Sequence, residues 1–328
     1  MNEYIYTIGT NRITSHVKKK KPIFLTVKKL TYLVTITLTN SLVAKTKKKR
    51  QKIEKMVRIL ITGSTDGFGL AAARELITRK HTVYLHARNP TRAADVLKSC
   101  PGAAGIFTAD LTSISETRNL AAEANTLVPD GFDAVILNAG LMYGPFRPGV
   151  DSGIPGSVFI NLVAPYILLC LLVRPRRLVF ISSVLHFQAG NLGVEDIFWL
   201  ARKEGKDGWV DFEAYCDSKF HVLLLAKAVA RRWKKGEKGR GKGTSVTVVH
   251  PGWVATKLTL PEAPGKLEDG VETYVMLAEG DYDEVGLNGG YFEPNRKIAE
   301  PRGECEDEVL QEKVVRACEE VTGLKIPV

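Results

Sequence analysis

Cysteine is scarce in this chain and follows no pattern that would build a framework. The five cysteines, an odd number, are widely spread and include no C-x-x-C pair: Cys100, Cys170, Cys216, Cys305 and Cys318. Disulfide scaffolds rely on closely spaced, paired cysteines, and zinc sites need cysteine or histidine at short intervals. We therefore predict reduced thiols, a cytoplasmic protein and no metal site.

Long apolar runs are missing as well. The apolar, threonine-rich stretch at residues 30–44 follows Lys28 and Lys29 directly, and it spans only fifteen residues. A helix needs about 20 apolar residues to cross a bilayer. We do not expect the chain to span a membrane.

The body of the chain lacks an excess of positive charge. The formal net charge is +10, but residues 1–55 hold fourteen of the 46 Lys and Arg and only two of the 36 Asp and Glu. The other residues are therefore slightly acidic, whereas a nucleic-acid-binding domain needs a basic surface. We expect no nucleic-acid partner.

Residues 1–55 are interpreted as a basic extension, disordered or outside the true translated sequence, and residues 56–328 as one catalytic domain. Met56 is a candidate start because Val57 to Thr62 begins a strand-like run at once. A mitochondrial presequence or a membrane-surface segment is the alternative, since the stretch is basic and almost free of acids.

From Val57 onward, β-branched runs alternate with segments of helical periodicity. Strands are predicted at 57–62, 82–87, 104–109, 132–138, 177–182 and 245–250, and helices near 68–80, 90–99, 113–127, 155–173 and 211–233. Several strands lack apolar/polar alternation, as expected when both faces of a sheet are covered. The order predicts an α/β fold with a parallel sheet between two helical layers.

A glycine-rich turn, T-G-S-T-D-G-F-G at Thr62–Gly69, joins the first predicted strand to the first predicted helix. Gly63 permits the tight turn, Gly67 lets the backbone approach a pyrophosphate, and Gly69 lets the helix pack on the strand. The helix N-terminus offers free N–H groups to phosphate. This context favours a dinucleotide site over a turn without a ligand.

Four more motifs follow in order. They are L-N-A-G at Leu137–Gly140, I-S-S at Ile181–Ser183, Y-C-D-S-K at Tyr215–Lys219 and H-P-G-W-V-A-T at His250–Thr256. With the glycine turn, they resemble the short-chain dehydrogenase/reductase family over residues 57 to about 300. The chain is most similar to the retinol-dehydrogenase-like and WW-domain-oxidoreductase-like group, through S-S-x-x-H at 182–186, the 32-residue step from Ser183 to Tyr215 and G-G-Y-F at 289–292. The resemblance implies a single doubly wound Rossmann domain with a parallel seven-stranded sheet flanked by helices.

The spacing of Tyr215 and Lys219 is a chemical indication of its own. Hydride transfer to a carbonyl needs a proton donor at the oxygen, and the reverse reaction needs a base. A free tyrosine has a pKa of about 10, which a neighbouring ammonium lowers. At i and i+4 of the helix predicted at 211–233, the two side chains share a face. We predict that Tyr215 is the acid/base.

The resemblance implies roles for three further side chains. Ser183 would donate a hydrogen bond to the substrate oxygen, with Ser182 as the alternative, and Lys219 would also bond the nicotinamide ribose. Asn161 would hold a water of the proton relay, or else be an ordinary helix residue, with Pro165 bending that helix. His186 is open between a substrate contact and a structural bond, whereas a structural role is favoured for His250.

Arg88 follows the second predicted strand, where NAD enzymes commonly place a carboxylate. Arg88 can face a 2′-phosphate, so NADP is favoured over NAD. The alternative is that Arg88 stacks on adenine or stays solvated. Asp110 resembles the residue that contacts the adenine amino group, with an N-cap role for Asp110 or Thr112 as the rival interpretation. The predicted cofactor set is Gly63, Ser64, Thr65, Gly67, Phe68, Gly69, Arg88, Asp110, Leu111, Asn138, Ala139, Gly140, Tyr215, Lys219, Pro251, Gly252, Val254 and Thr256.

Three tryptophans and one lysine add smaller expectations. Trp199, Trp209 and Trp253 are candidates for an apolar pocket wall, and core packing is the alternative. Lys80 stands where relatives usually have glycine between the first helix and the second strand, so we expect strain there.

The predicted function is interconversion of an alcohol with a ketone or aldehyde, dependent on NADP(H), on a small-molecule substrate that the sequence does not name. A sugar-nucleotide epimerase is disfavoured by the glycine spacing. A non-catalytic NADP-binding regulatory or interaction protein is the main alternative, and such proteins typically lose the Tyr/Lys pair. The resemblance implies a homodimer or homotetramer through the helices at 155–173 and 211–233.

Overall fold

The computed structural model describes residues 56–142, 146–149, 151–201, 208–234, 243–255, 263–284 and 286–327. The predictions made for residues 1–55 and for Thr256 lie outside these ranges.

One sheet organises the described residues. Its strands are β1 (Arg58–Ile61), β2 (Thr82–Ala87), β3 (Gly105–Thr108), β4 (Ala134–Leu137), β5 (Arg177–Ile181), β6 (Ser245–Val249), β7 (Tyr291–Glu293) and β8 (Lys297–Ala299). Their order is β3-β2-β1-β4-β5-β6-β7-β8, with every neighbouring pair parallel except β7 and β8. The mostly parallel α/β fold is confirmed. The predicted strand number was one too low, because β8 is a three-residue edge strand that folds back antiparallel on β7.

Helices cover both faces of the sheet. They are α1 (Gly67–Thr78), α2 (Pro90–Ser99), α3 (Ile114–Leu127), α4 (Gly156–Val158), α5 (Ala164–Leu171), α6 (Asp211–Arg232), α7 (Leu267–Glu279) and α8 (Glu308–Thr322). Successive β1 residues point to opposite faces: Ile59 and Ile61 pack with α1 and α7, and Leu60 packs with α3, α5 and α6. Burial on both sides explains why the strands read as apolar runs without alternation.

The helix predicted at 155–173 is interrupted. A π-helical turn, Phe159–Val163, separates α4 from α5 and carries Asn161 at its centre. Pro165 has no N–H to donate to the carbonyl of Asn161, four residues earlier, so a regular α-helix cannot continue through this point. Such single π turns are frequent at functional sites.

The turn between α1 and β2 has the strained backbone that we expected at Lys80. Lys80 adopts φ = 68°, in the left-handed region that glycine occupies most easily. A side chain there costs on the order of 1 kcal/mol, and the strain lies away from the groove described below.

Candidate active site

A groove runs along the carboxyl ends of the central strands. Two adjoining cavities of about 460 and 310 Å³ form it, and they share Phe68, Asn138 and Gly140 as walls. The groove lies where the strand order reverses: β2 and β3 follow β1 towards one edge of the sheet, and β5 and β6 follow β4 towards the other. Doubly wound sheets bind their ligands in the crevice at such a reversal.

The glycine-rich turn lines the smaller cavity, and its Phe68 also lines the larger one. Gly63 and Gly67 have φ of 61° and 52°, and a Cβ on Gly63 would lie 2.7 Å from the Cα of Ala139. A Cβ on Gly69 would lie 2.6 Å from the carbonyl oxygen of Gly63. Only glycine therefore fits at these positions, and the backbone N–H groups at the start of α1 stay open to an anion.

Asn138 fastens this turn to β4. Its amide nitrogen donates to the carbonyl oxygens of Thr62 and Gly63, at 2.9 Å each, and its Oδ1 accepts from the hydroxyl of Tyr274 at 3.1 Å. Ser64, a predicted cofactor residue, is instead fully buried, and its hydroxyl accepts from the backbone N–H of His86 at 2.9 Å. The structure thus gives Asn138 and Ser64 positioning contacts within the protein.

The smaller cavity is lined by two arginines as well as by the carboxylates of Asp66 and Asp110. Arg88 is exposed on its wall, and Arg92 from α2 lines it too, with Nη2 2.7 Å from Oδ2 of Asp66. Sequence reasoning missed Arg92, although it lies four residues after Arg88. Burial lowers the pKa of His86, another lining residue, to about 4, so its ring is neutral.

Asp110 lies on the same wall. Its Oδ1 accepts from the backbone N–H of Thr112 at 3.0 Å and from the Thr112 hydroxyl at 2.8 Å. The N-cap of α3 is Ser113, whose side chain accepts from the N–H of Glu116. The alternative prediction, that Asp110 or Thr112 is the N-cap of this helix, was therefore wrong. Asp110 lines the smaller cavity.

The larger cavity is lined by three of the predicted catalytic side chains. Ser183, Tyr215 and Lys219 line it together with Pro251 and Gly252. Val254 is instead buried and forms an isolated bridge with Pro264. Sequence reasoning missed Gln188, Phe212 and Tyr274, which reach the same cavity from three separate elements.

Tyr215 and Lys219 share one face of α6, as their spacing predicts. Nζ of Lys219 lies 5.5 Å from the centre of the Tyr215 ring. Lys219 is 4% exposed and donates to the carbonyl oxygen of Ile181 at 3.0 Å. Burial lowers the pKa of Lys219 to about 8, so the amine carries its proton at neutral pH but holds it weakly.

The two serines after β5 differ in their partners. The hydroxyl of Ser182 donates a hydrogen bond to the carbonyl oxygen of Lys219, at 2.7 Å. The Oγ of Ser183 accepts from the N–H of Leu185 at 3.2 Å, an arrangement that leaves its own proton for another acceptor. This difference supports Ser183 as the donor to a substrate.

Asn161 ties three segments of the site together. Its Oδ1 accepts from the N–H of Leu141 at 3.0 Å, and its Nδ2 donates to the Leu141 carbonyl and to the Ser218 hydroxyl, at 2.9 Å each. A Cβ on Gly140 would lie 3.0 Å from Oδ1 of Asn161 and 3.4 Å from Nζ of Lys219. A side chain at position 140 would therefore press on both groups.

Of the remaining candidate site residues, some line the larger cavity and others are buried in the core. Trp253 is 54% exposed and lines the larger cavity, and His250 lines it with a pKa that burial lowers to about 4. Trp199 is buried, and its Nε1 donates to Oδ2 of Asp217 at 3.1 Å. His186 is fully buried and bonded to the backbone of Ser183, and it lines neither cavity.

The described part of the chain lacks two kinds of feature. It contains no cluster of three or more His, Cys, Asp or Glu side chains arranged to hold a metal ion. None of its helices is both long enough and apolar enough to cross a bilayer.

The sequence is similar to those of known short-chain dehydrogenases. A family model described as short chain dehydrogenase matches residues 57–195. The short-chain dehydrogenase chyC of Penicillium rubens is 61% identical over 83% of this chain and 100% of its own length. The short-chain dehydrogenase chry4 of Gibberella zeae is 60% identical over 83% and 99%. Human retinol dehydrogenase 13 is 26% identical over 82% and 85%.

Solved structures share the fold at low identity. An uncharacterised protein from Mycobacterium paratuberculosis superposes with a TM-score of 0.69 at 23% identity, covering 83% of this chain and 95% of that one. RhlG of Pseudomonas aeruginosa, solved with NADP, has a TM-score of 0.56 at 20% identity, covering 74% and 96%.

Proposed function

Since this chain belongs to the short-chain dehydrogenase/reductase family and is an oxidoreductase with an NAD(P)-binding Rossmann fold, we propose that it interconverts an alcohol and a ketone or aldehyde, using NADP(H). One observation carries the proposal. Ser183, Tyr215 and Lys219 meet in a cavity that adjoins the glycine-rich turn. The substrate is a small molecule that reaches them from the side of Trp253.

The groove fits a dinucleotide phosphate. At Gly63 and Gly69 a Cβ would collide with neighbouring protein atoms, so glycine lets the turn pack tightly and bring the first N–H groups of α1 to the groove, where a pyrophosphate would bind. Arg88 and Arg92 at the smaller cavity offer guanidinium groups suited to a 2′-phosphate, and β2 ends in His86 and Ala87 without a carboxylate. When bound, the nicotinamide would supply or accept the hydride.

Side chains of the protein then transfer the proton and stabilise the charge on the substrate oxygen. Ser183 donates a hydrogen bond to the substrate oxygen and stabilises the charge that develops there. Tyr215 gives its hydroxyl proton to that oxygen during reduction and takes a proton from the alcohol during oxidation. The Lys219 ammonium stabilises the resulting phenolate and holds the cofactor ribose, and Asn161 positions the surrounding backbone.

The central test is Tyr215→Phe, which removes only the proton-carrying oxygen. We expect kcat to fall by about 100-fold or more, with the Kd for NADPH unchanged, when aldehydes, ketones and alcohols are screened by NADPH absorbance. Tyr166→Phe is the matched control, because it removes a hydroxyl bonded to the Leu324 carbonyl, outside the groove. Retained turnover in Tyr215→Phe would show that the assigned acid/base is wrong.

Cofactor choice is tested separately with Arg88→Ala. Loss of one charged hydrogen-bond donor to phosphate costs roughly 1.5–3 kcal/mol, so NADPH binding should weaken by about 10- to 100-fold, with little change for NADH. Arg79→Ala controls for lost charge, since Arg79 caps the C-terminal end of α1, opposite the glycine-rich turn, and pairs with Glu75 and Glu279. Equal losses for the two cofactors would remove the basis for preferring NADP.

A further inference from the structure

His186 is a buried histidine that the proposed chemistry does not use. It lies three residues after Ser183, in the 3₁₀ helix Val184–Gln188, and it is 0% exposed. Its Nδ1 is 2.6 Å from the carbonyl oxygen of Ser183, and its Nε2 is 3.3 Å from the backbone nitrogen of Arg302.

These two partners fix the form of the ring. A carbonyl oxygen can only accept a hydrogen bond, and a backbone N–H can only donate one. Nδ1 therefore carries the proton and Nε2 accepts. Burial and the neighbouring Arg302 charge lower the pKa of His186, which keeps the ring in this neutral state.

Arg302 holds the same short helix from the other side. Its Nη1 donates to the carbonyl oxygens of His186 and Ala189, at 3.1 and 3.2 Å. Glu304 anchors the guanidinium through two contacts of 3.2 Å, and the guanidinium carbon lies 5.3 Å from the ring centre of Phe220, the neighbour of Lys219. The segment after β8 thus fastens the Ser183 loop to the helix that carries Tyr215.

The Ser183 carbonyl is the atom on which these contacts converge. It accepts from the His186 ring and, at 3.1 Å, from the His186 backbone N–H. Two donors on one carbonyl fix the peptide plane between Ser183 and Val184. This restrains the backbone from which Cβ of Ser183 leaves and places the Leu185 N–H that bonds Oγ.

We propose that His186, held by Arg302, is a positioning residue that aims the Ser183 hydroxyl at the substrate oxygen. The inference rests on the proposed function, because it gives Ser183 the role of donor. His186 touches neither substrate nor cofactor and acts through the Ser183 backbone alone.

Three substitutions at His186 separate its two bonds. His186→Asn keeps an N–H near the Nδ1 position, His186→Gln places its amide near Nε2 instead, and His186→Leu removes both. We expect kcat within about threefold of wild type for Asn and a fall of about tenfold or more for Gln and Leu. The Kd for NADPH should stay within about twofold throughout. His81→Gln is the control, because His81 is also buried but pairs with Glu279 away from the groove.

A double-mutant cycle with Ser183→Ala distinguishes positioning from general stability. If His186 acts through Ser183, His186→Leu should not lower kcat further in the Ser183→Ala background. Additive losses, or full kcat in His186→Leu, would overturn the proposal. If the leucine variant does not fold, the comparison of Asn with Gln decides, and equal kcat for the two would overturn it.

The outcome is separable from that of the proposed function. If Ser183→Ala alone keeps full kcat, the catalytic role of Ser183 fails and this inference fails with it. If Ser183→Ala loses activity and His186→Leu does not, only the inference fails. Nitrogen-15 NMR of the His186 ring gives a readout without turnover: the neutral Nδ1–H tautomer is expected above neutral pH, and the Nε2–H tautomer would contradict the geometry.

Discussion

At the scale of single residues, Lys219 shows that the site is maintained at a cost in stability. Its pKa falls from 10.5 to about 8 because the ammonium is removed from water. Between these values the unfolded chain holds a proton that the native protein has released, so stability rises with pH in this window. Below about pH 8 the full penalty applies, about 3 kcal/mol for a shift of this size.

Comparing wild type with Lys219→Met tests this linkage. We expect the unfolding free energy of wild type to gain about 2 kcal/mol relative to the variant between pH 7 and pH 10, as measured by urea unfolding at both pH values. Lys227→Met is the control, because Lys227 lies on the same helix but pairs with Glu306. A constant difference between wild type and Lys219→Met would show that Lys219 is not desolvated as its burial implies.

Local spacing explains which site residues could be predicted from sequence. Tyr215 and Lys219 share a helix face by periodicity alone, and the two serines directly follow one strand. Tyr274 reaches the cavity from α7, which is distant in sequence from the motifs, so no short pattern could identify it. The role of His186 stayed open because its decisive partner, Arg302, lies 116 residues away.

At the scale of elements, periodicity predicted β1 to β6 and the helices α1, α2, α3 and α6, together with the interrupted helix at 155–173. It did not predict α7 and α8. The strands β7 and β8 have three residues each, too few for any period to be recognised. The π-helical turn at Phe159–Val163 has no periodic signal either, and Pro165 is its only trace in the sequence.

Residues 190–199, which follow the Ser183 loop, are held in place by Asp217, a residue inside the Y-C-D-S-K motif. Oδ1 of Asp217 accepts from the N–H groups of Gly190 and Asn191, at 2.9 and 3.0 Å, and Oδ2 accepts from Trp199. Val194 and Trp199 hold left-handed φ values of 56° and 57°, which side chains rarely adopt. Tertiary bonds sustain this strained path, so sequence propensity could not have predicted it.

At the scale of the whole molecule, α8 covers the face that the family resemblance assigned to oligomer formation. Arg231 and Arg232 at the end of α6 both pair with Glu312 of α8. Trp233 and Tyr166 donate to the carbonyl oxygens of Pro327 and Leu324, at 2.7 and 3.0 Å. The apolar side of α8, with Val314, Val315 and Cys318 buried against the core, completes the cover. We infer that a dimer through α5 and α6 would have to compete with α8 for this surface.

We therefore expect the full chain to be a monomer of about 36.1 kDa by light scattering coupled to size exclusion. Val314→Asp should shift it towards dimers or larger species, because a carboxylate buried at that position would detach α8 and expose the apolar face beneath it. Val309→Asp is the matched control, since Val309 lies on the same helix but is 66% exposed. A wild-type dimer that persists unchanged in Val314→Asp would mean that association uses another surface, and α8 would then be a structural element without influence on assembly.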